Sequence, residues 1–320
     1  MRRRIVKISG ATAKKQQKIK VANSTIIKKQ PRIKPSVKVT KSTKMRKART
    51  NVNVDFNHVV NLSRLKVKKG KVDISKLKIG VCFHIYYSDI VDEIIENLNE
   101  LREIVDFQLF ITSPEGSPFD SNSKVLLSKF SSNGYSNTFL NCRNIGKDIG
   151  GKMCFLRHCL ENDIKFDYLV FAHDKKSTHA KESIGRAWRK DLYRSIFNRG
   201  SVEQILACFG VNNEIKMAGG RVRQGRVHSS RIAGRGSNFV KMQFLSKVLK
   251  IQLPETAAFI GGTMFWVKGD YFLSYFNQKN VRQIEDQLET GDVQDGSFTH
   301  AMERILGILV THSGNKIGSI

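Results

Sequence analysis

The sequence predicts an α/β fold with a mostly parallel sheet, and three observations predict it. From residue 78 to residue 172, strand-like and helix-like segments alternate as β-α-β-α-β-α-β, an order that puts parallel strands in one sheet with helices on both faces. The run Tyr168, Leu169, Val170, Phe171 is apolar throughout. A strand that faces water on one side would alternate, so this one is covered on both. The run stops abruptly at His173-Asp174-Lys175-Lys176-Ser177, and open α/β sheets bind ligands at the carboxyl ends of their strands.

Residues 1–76 hold 24 Lys and Arg against two acids, Asp55 and Asp73, so most of the net charge of +27 sits in this arm. Its apolar residues follow no sustained period, which predicts a largely disordered basic segment. The α/β domain is expected over 77–320, where 31 bases meet 26 acids. Such an arm suits contact with an anionic membrane surface or with nucleic acid phosphates, and it serves equally as a solvated tail. A basic, acid-free start is also compatible with a targeting presequence, but it lacks the apolar core of a secretory signal. No run approaches the roughly 18 apolar residues of a membrane span. The five cysteines are odd in number and show no CxxC spacing, which argues for reduced thiols in a cytoplasmic protein and against a zinc site.

Within the domain, residues 78–86 (KIGVCFHIY) form the first strand by their β-rich, unbroken apolar run. Asp89 to Glu103 follow as an amphipathic helix, with Ile90, Ile94, Leu98 and Leu101 at helical spacing and Ile95 widening the stripe. Phe107 to Thr112 are the second strand, and Ser, Pro, Gly and Asp mark the loop after it. Lys124–Phe130 suit a short helix and Tyr135–Asn141 a third strand. Gly150–Glu161 form a helix burying Met153, Phe155, Leu156 and Leu160, and Tyr168–Ala172 are the next strand. Beyond the charged turn, helices are predicted over Ser183–Phe197, Val202–Phe209, Phe239–Leu249 and Asp295–Leu309, and strands over Lys216–Ala218 and Phe259–Val267. Gly219 to Gly236 reads as a loop with five arginines, Arg221, Arg223, Arg226, Arg231 and Arg235.

Three groups of residues can carry chemistry. Asn144, Gly146, Lys147, Asp148 and Gly150 lie at a helix start, where glycines allow close backbone approach to a phosphate and the helix end favours an anion. An ordinary Gly-rich connection with a capping Asp has the same pattern. His173, Asp174, Lys175 and Lys176 end a strand; the lysines suit a diphosphate and Asp174 suits a divalent cation. A polar, helix-capping loop is the alternative. Gly261 and Gly262 permit close approach of a ligand, and Asp292, Asp295 and Glu303 bring carboxylates beside them. A carboxylate next to a bound electrophile acts as general base toward a hydroxyl. Glu303 follows Asp295 by eight residues, which places both near one helix face if the helix begins there.

In order along residues 78–311 run HIYYSDIVDEI, FITS, NIGKDIGGKM, YLVFAHDKKS, WRKDL, FIGGTMFWVK and DGSFTHAMERILG. Each is loose alone, but together and in this order the chain resembles the rhamnan synthesis protein F family. The resemblance implies a GT-A-like glycosyltransferase of polysaccharide assembly, with a Rossmann-type mixed sheet. It implies a nucleotide-sugar donor such as dTDP-rhamnose and a polysaccharide or lipid-linked glycan acceptor. It assigns Asp295 as first and Glu303 as second candidate base. The donor's diphosphate falls to His173, Asp174, Lys175 and Lys176, and the nucleotide-sugar pocket to Asn144, Gly146, Asp148, Gly261 and Gly262. The DxD metal motif of such enzymes is here His173-Asp174-Lys175. Asp174 is left as the single candidate ligand for Mg²⁺ or Mn²⁺, and the lysines can stand in for the cation. Two other readings remain open: a polyanion- or nucleic-acid-binding protein, and a degenerate transferase fold that binds sugar without turnover.

Overall fold

Among the described residues of the computed structural model, which are 56–65, 73–174, 176, 182–234, 238–291 and 295–320, the chain forms ten strands and nine α-helices. Two units divide it, Met1–Val52 and Asn53–Ile320, and every described residue belongs to the second. Lys175, Asp292 and most of the basic arm lie outside the described residues.

The first half delivers the expected alternation: β1 Val59–Asn61, β2 Ile79–His84, α1 Val91–Arg102, β3 Gln108–Pro114, α2 Ser123–Ser132, β4 Asn137–Cys142, α3 Lys147–Glu161 and β5 Tyr168–His173. The second half adds α4 Glu182–Phe197, α5 Arg199–Val211, β6 Ile215–Gly219, β7 Val222–Arg226, α6 Asn238–Val248, β8 Thr256–Ile260 and β9 Phe265–Lys268. The chain then runs through α7 Gly269–Leu273, α8 Gln278–Glu285, α9 Phe298–Thr311 and β10 Lys316–Ser319. Eight strands make one sheet in the order β1-β10-β6-β9-β5-β2-β3-β4. All its pairings are parallel except those of β9, which runs antiparallel to both β5 and β6.

Both faces of this sheet are covered, which is why β2 and β5 are buried at every position. Val81 and Phe83 pack on one side with Ile94, Leu98, Leu192 and Ile205 from α1, α4 and α5. Cys82 and Phe110 face the other way, toward Met153 and Phe155 of α3 and the layer that holds α6, α8 and α9. The predicted stripe of α1 is the one buried, with Val91 added to it. All five cysteines are buried and free. No helix among the described residues is long and apolar enough to cross a membrane.

The sheet positions a site by its winding. From β2 the chain moves outward through β3 and β4, and β5 then returns to the opposite side of β2. The carboxyl ends of β2 and β5 therefore flank the point where the connections diverge, the favoured ligand position of such sheets. His84 and His173 end the two strands as in-register partners.

Four expectations are corrected. The apolar run Phe259–Val267 is not one strand: β8 and β9 belong to different sheets, and the chain turns at Gly262 (φ +90°) and Thr263 (φ +53°). The arginine loop is not all loop, because β7 pairs antiparallel with β8 from Val222↔Ile260 to Arg226↔Thr256. Residues 56–65, assigned to the arm, join the folded unit: β1 pairs with β10 and Leu62 is fully buried against Gly318. The last helix starts at Phe298 rather than at Asp295. Gly296 takes φ +102°, outside any right-handed helix, and Ser297 caps by accepting the His300 N–H at 3.1 Å.

Candidate active site

At the carboxyl ends of β2 and β5 the apolar interior gives way to a buried polar cluster. The loop into α3 begins with Gly146 (φ +63°), whose N–H donates to the Glu289 carbonyl at 2.7 Å. A Cβ on Gly146 would lie 2.6 Å from Leu288 Cδ1, so the close approach itself calls for glycine. One helical turn later Asp148 and Lys152 stack at i, i+4. Lys152 is 2 % exposed, and its Nζ donates to Asp148 Oδ2 at 2.8 Å and to Thr263 Oγ1 at 3.2 Å. The Thr263 hydroxyl donates to the same carboxylate oxygen, and His173 Nδ1 stands 3.8 Å from it. Burial works to raise the Asp148 carboxyl; the Lys152 ammonium, His173 and the two donors outweigh it and hold that carboxyl well below the usual range. Asp148 is thus an anion fixed inside the fold.

His84 faces Thr112 across β2 and β3, with Nδ1 3.0 Å from the hydroxyl. Burial pushes its imidazole down to about 4, although Asp148 pulls the other way, so His84 is neutral at physiological pH. Gly151 makes room for it, since a Cβ there would sit 2.2 Å from His84 Nδ1.

Asp174 and Lys176 follow β5 at the same end of the sheet. Asp174 is 5 % exposed, and its Oδ2 accepts the N–H groups of Tyr86 (2.6 Å) and Tyr87 (2.5 Å). This carboxyl fastens the exit of β2 to the exit of β5. Burial raises it well above the usual carboxylate range despite those donors. Lys176 pairs with Asp89 at 2.5 Å and lies 4.6 Å above the Tyr87 ring. Asn144 is exposed on the loop before α3.

A pocket of about 440 Å³ opens beside Gly261 and Gly262. Trp188, Arg221, Arg223, Glu303 and Arg304 are among its lining residues. Glu303 accepts the Gly262 N–H on Oε1 (2.8 Å) and the Arg304 guanidinium on Oε2 (2.7 Å). Arg304, 7 % exposed, reaches Asp295 Oδ1 at 3.5 Å and lies over the Phe259 ring at 5.3 Å. Asn238 also donates to Asp295 Oδ1, at 2.5 Å. Asp295 and Glu303 are therefore joined through one arginine rather than set on one helix face, and of the two it is Glu303 that lines the pocket.

The Gly261–Thr263 turn ties these places together: Thr263 reaches Asp148, and its neighbour Gly262 reaches Glu303. Thr263 itself (φ +53°) and Arg221 (φ +54°), whose carbonyl accepts the Gly261 N–H, are non-glycine residues in the left-handed region. Such conformations cost about 1–3 kcal/mol each and gather where function holds them. Lys152, Thr263, His84 and Arg304 escape the motif reading. Lys152 has a legible signal even so: it lies on the α3 face shared by Ile149, Met153 and Leu156, where a lysine needs a partner.

A protein-built cage for a divalent cation needs several converging oxygen ligands. No group of three or more His, Cys, Asp and Glu with that arrangement occurs among the described residues. Asp174 gives one oxygen to two backbone donors, and Asp148 is committed to Lys152. The described residues do not fit such a cage.

A family model described as rhamnan synthesis protein F matches residues 13–315. The WxcX proteins of two strains of Xanthomonas campestris pv. campestris, B100 among them, are each 24% identical to this chain over 242 residues, 75% of this chain and 32% of theirs. The chain thus spans about a third of the length of these curated relatives. Among solved structures, mannosyltransferase PcManGT from Pyrobaculum calidifontis, in complex with GDP-Man and Mn²⁺, aligns with a TM-score of 0.40 and 9% identity. That alignment covers 84% of this chain and 58% of the other. Galactosyltransferase LgtC with donor and acceptor sugar analogues aligns at a TM-score of 0.31 and 9% identity, covering 75% and 73%.

Proposed function

The chain belongs to the rhamnan synthesis protein F family, and on that premise we propose that it is a glycosyltransferase. It moves a sugar, rhamnose by the family's description, from a nucleotide-sugar donor to a hydroxyl of a polysaccharide or lipid-linked glycan. The observation that carries the reading is the Gly261–Thr263 turn. It joins the buried polar cluster at the ends of β2 and β5 to a pocket lined by a carboxylate with both oxygens hydrogen-bonded.

The donor lies along these strand ends, with its diphosphate toward His173–Lys176 and its nucleotide toward the Asn144–Asp148 loop. The acceptor enters the pocket beside Gly261 and Gly262. Its oxygen attacks the anomeric carbon as the bond from that carbon to the diphosphate breaks, and Glu303 takes the hydroxyl proton. The position of Glu303 on the pocket wall supports it as the base. Asp295 then serves to hold Arg304, and through it the Glu303 carboxylate. Charge that develops on the departing diphosphate is met by Lys176 and by its sequence neighbour Lys175.

The test is release of nucleoside diphosphate by the full chain from a panel of nucleotide sugars, with and without Mg²⁺ or Mn²⁺. We expect turnover with at least one donor and a fall of about 10²-fold or more in Glu303→Gln. Undiminished turnover by that variant removes Glu303 from the mechanism, and absence of turnover with every donor and glycan acceptor overturns the reading.

A further inference from the structure

The pocket carries more positive charge than a neutral sugar requires, and its arginines differ in kind. Arg304 is buried and answered by Glu303 and Asp295. Arg221 and Arg223 are exposed. Arg221 leans its guanidinium over the Trp188 ring at 4.8 Å, and its ion pair among the described residues is a long one of 3.6 Å with Asp191, itself 69% exposed. Arg223 makes no hydrogen bond or ion pair among the described residues; its Nε would lie 3.6 Å from a Cβ built on Gly261. The Arg221 backbone is also distinctive. It holds φ +54° while its carbonyl accepts the Gly261 N–H at 3.2 Å, so the strained turn and the glycine wall are one unit.

A guanidinium held over an indole keeps its planar N–H fork, and such a fork matches two phosphate oxygens at once. A second guanidinium lining the same pocket, without a partner among the described residues, supplies the remaining charge. Gly261 leaves room, because a Cβ there would come no closer than 3.5 Å to another heavy atom.

We propose that Arg221 and Arg223, braced by Trp188, bind a phosphate or diphosphate group carried by the acceptor, so that the acceptor is a phosphate-bearing glycan. The assignment of that group to the acceptor rests on the transferase reading; the anion site itself does not.

The test uses the full chain and three probes: a short alkyl diphosphate, the corresponding alkyl alcohol, and the nucleotide sugar that gives the largest thermal shift. Calorimetry follows the first two in wild type and in the double variant Arg221→Gly, Arg223→Gln. Glycine suits the left-handed φ at 221, and Arg223 has no described partner to lose, so the variant should fold; circular dichroism and its melting temperature verify that. We expect wild type to bind the alkyl diphosphate at least tenfold tighter than the alcohol. The double variant should lose at least tenfold of that affinity and keep the nucleotide-sugar shift. Equal affinity for diphosphate and alcohol, or an undiminished affinity in the folded variant, overturns the anion site. Loss of the nucleotide-sugar shift in the variant overturns the assignment to the acceptor and gives the arginines to the donor. Arginine-dependent diphosphate binding with no response to any nucleotide sugar leaves the anion site standing and counts against the transferase reading.

Discussion

Replacing Lys152 with Met tests whether the buried ion pair under the site holds the site in shape. The substitution keeps an unbranched stem and removes the ammonium, leaving Asp148 without the partner that stands 2.8 Å away. Removing one partner of a fully buried pair costs about 3–5 kcal/mol, because the other charge stays desolvated. The Asp148 side chain keeps 19% exposure, so the lower end applies, about 3 kcal/mol. For a domain of this size that corresponds to a melting temperature lower by roughly 6–12 °C. The acid side gives a second signature. Asp148 titrates below its unfolded value in the folded state, so its contribution is complete above about pH 4 and is lost as pH falls further. Lys152→Met should shrink that acid-dependent loss, and Lys152→Met combined with Asp148→Asn should recover part of the stability at pH 7, since no lone charge is left. Urea unfolding followed by circular dichroism at pH 7 and pH 3 measures both effects. Equal stability of wild type and Lys152→Met at pH 7, or an unchanged acid loss, would show that the pair is not what organises the turn.

Asp174→Asn tests brace against metal ligand. An amide oxygen can still accept the Tyr86 and Tyr87 N–H groups, so the variant should stay within about 1 kcal/mol of wild type and keep its activity. Asp174→Ala leaves two donors unsatisfied and should cost about 2–4 kcal/mol in denaturant unfolding. A collapse of Mg²⁺- or Mn²⁺-supported turnover in a folded Asp174→Asn protein would return that carboxylate to the metal. His84 should shape the stability profile between neutral and acid pH. Its folded value near 4 lies below its ordinary 6.5, so its contribution is full above about pH 6.5 and fades as pH drops toward 4. His84→Gln should remove up to about 3 kcal/mol of that pH dependence in stability curves.

The legibility of the fold follows from what periodicity can report. The α1 stripe and the all-apolar β5 run are unambiguous because one period fits each. The Phe259–Val267 run holds a single polar residue, the strand-compatible Thr263, so its hydropathy does not separate β8 from β9; the break lies in the φ values of Gly262 and Thr263. The polar strand β7 (VRQGR) hides for the opposite reason, since it pairs at the edge of a two-stranded sheet and buries only Gly225 fully. At the site, the polar residues at a strand end or beside a glycine carry a local signal: His173, Asp174 and Asp148. What was not readable is their pairing. The joining of Asp148 to Thr263 spans 115 residues, and that of Gly262 to Glu303 spans 41. Such contacts depend on which strands become neighbours, and no local pattern encodes that.

That long-range pairing changes what the glycine pair means. Read alone, Gly261 and Gly262 make space for a ligand. In the folded chain Gly262 also aims an N–H at Glu303 while Thr263, a β-branched residue in the left-handed region, is held there by Asp148 and Lys152. Two successive residues with positive φ form a turn that would relax if it were not pinned at both ends. The buried ion pair pins one end and the Glu303 carboxylate the other, so the geometry of the proposed base depends on a lysine that touches no substrate. Lys152→Met should therefore lower turnover even at temperatures where the protein remains folded. A variant that is destabilised yet fully active per folded molecule would separate the brace from the chemistry.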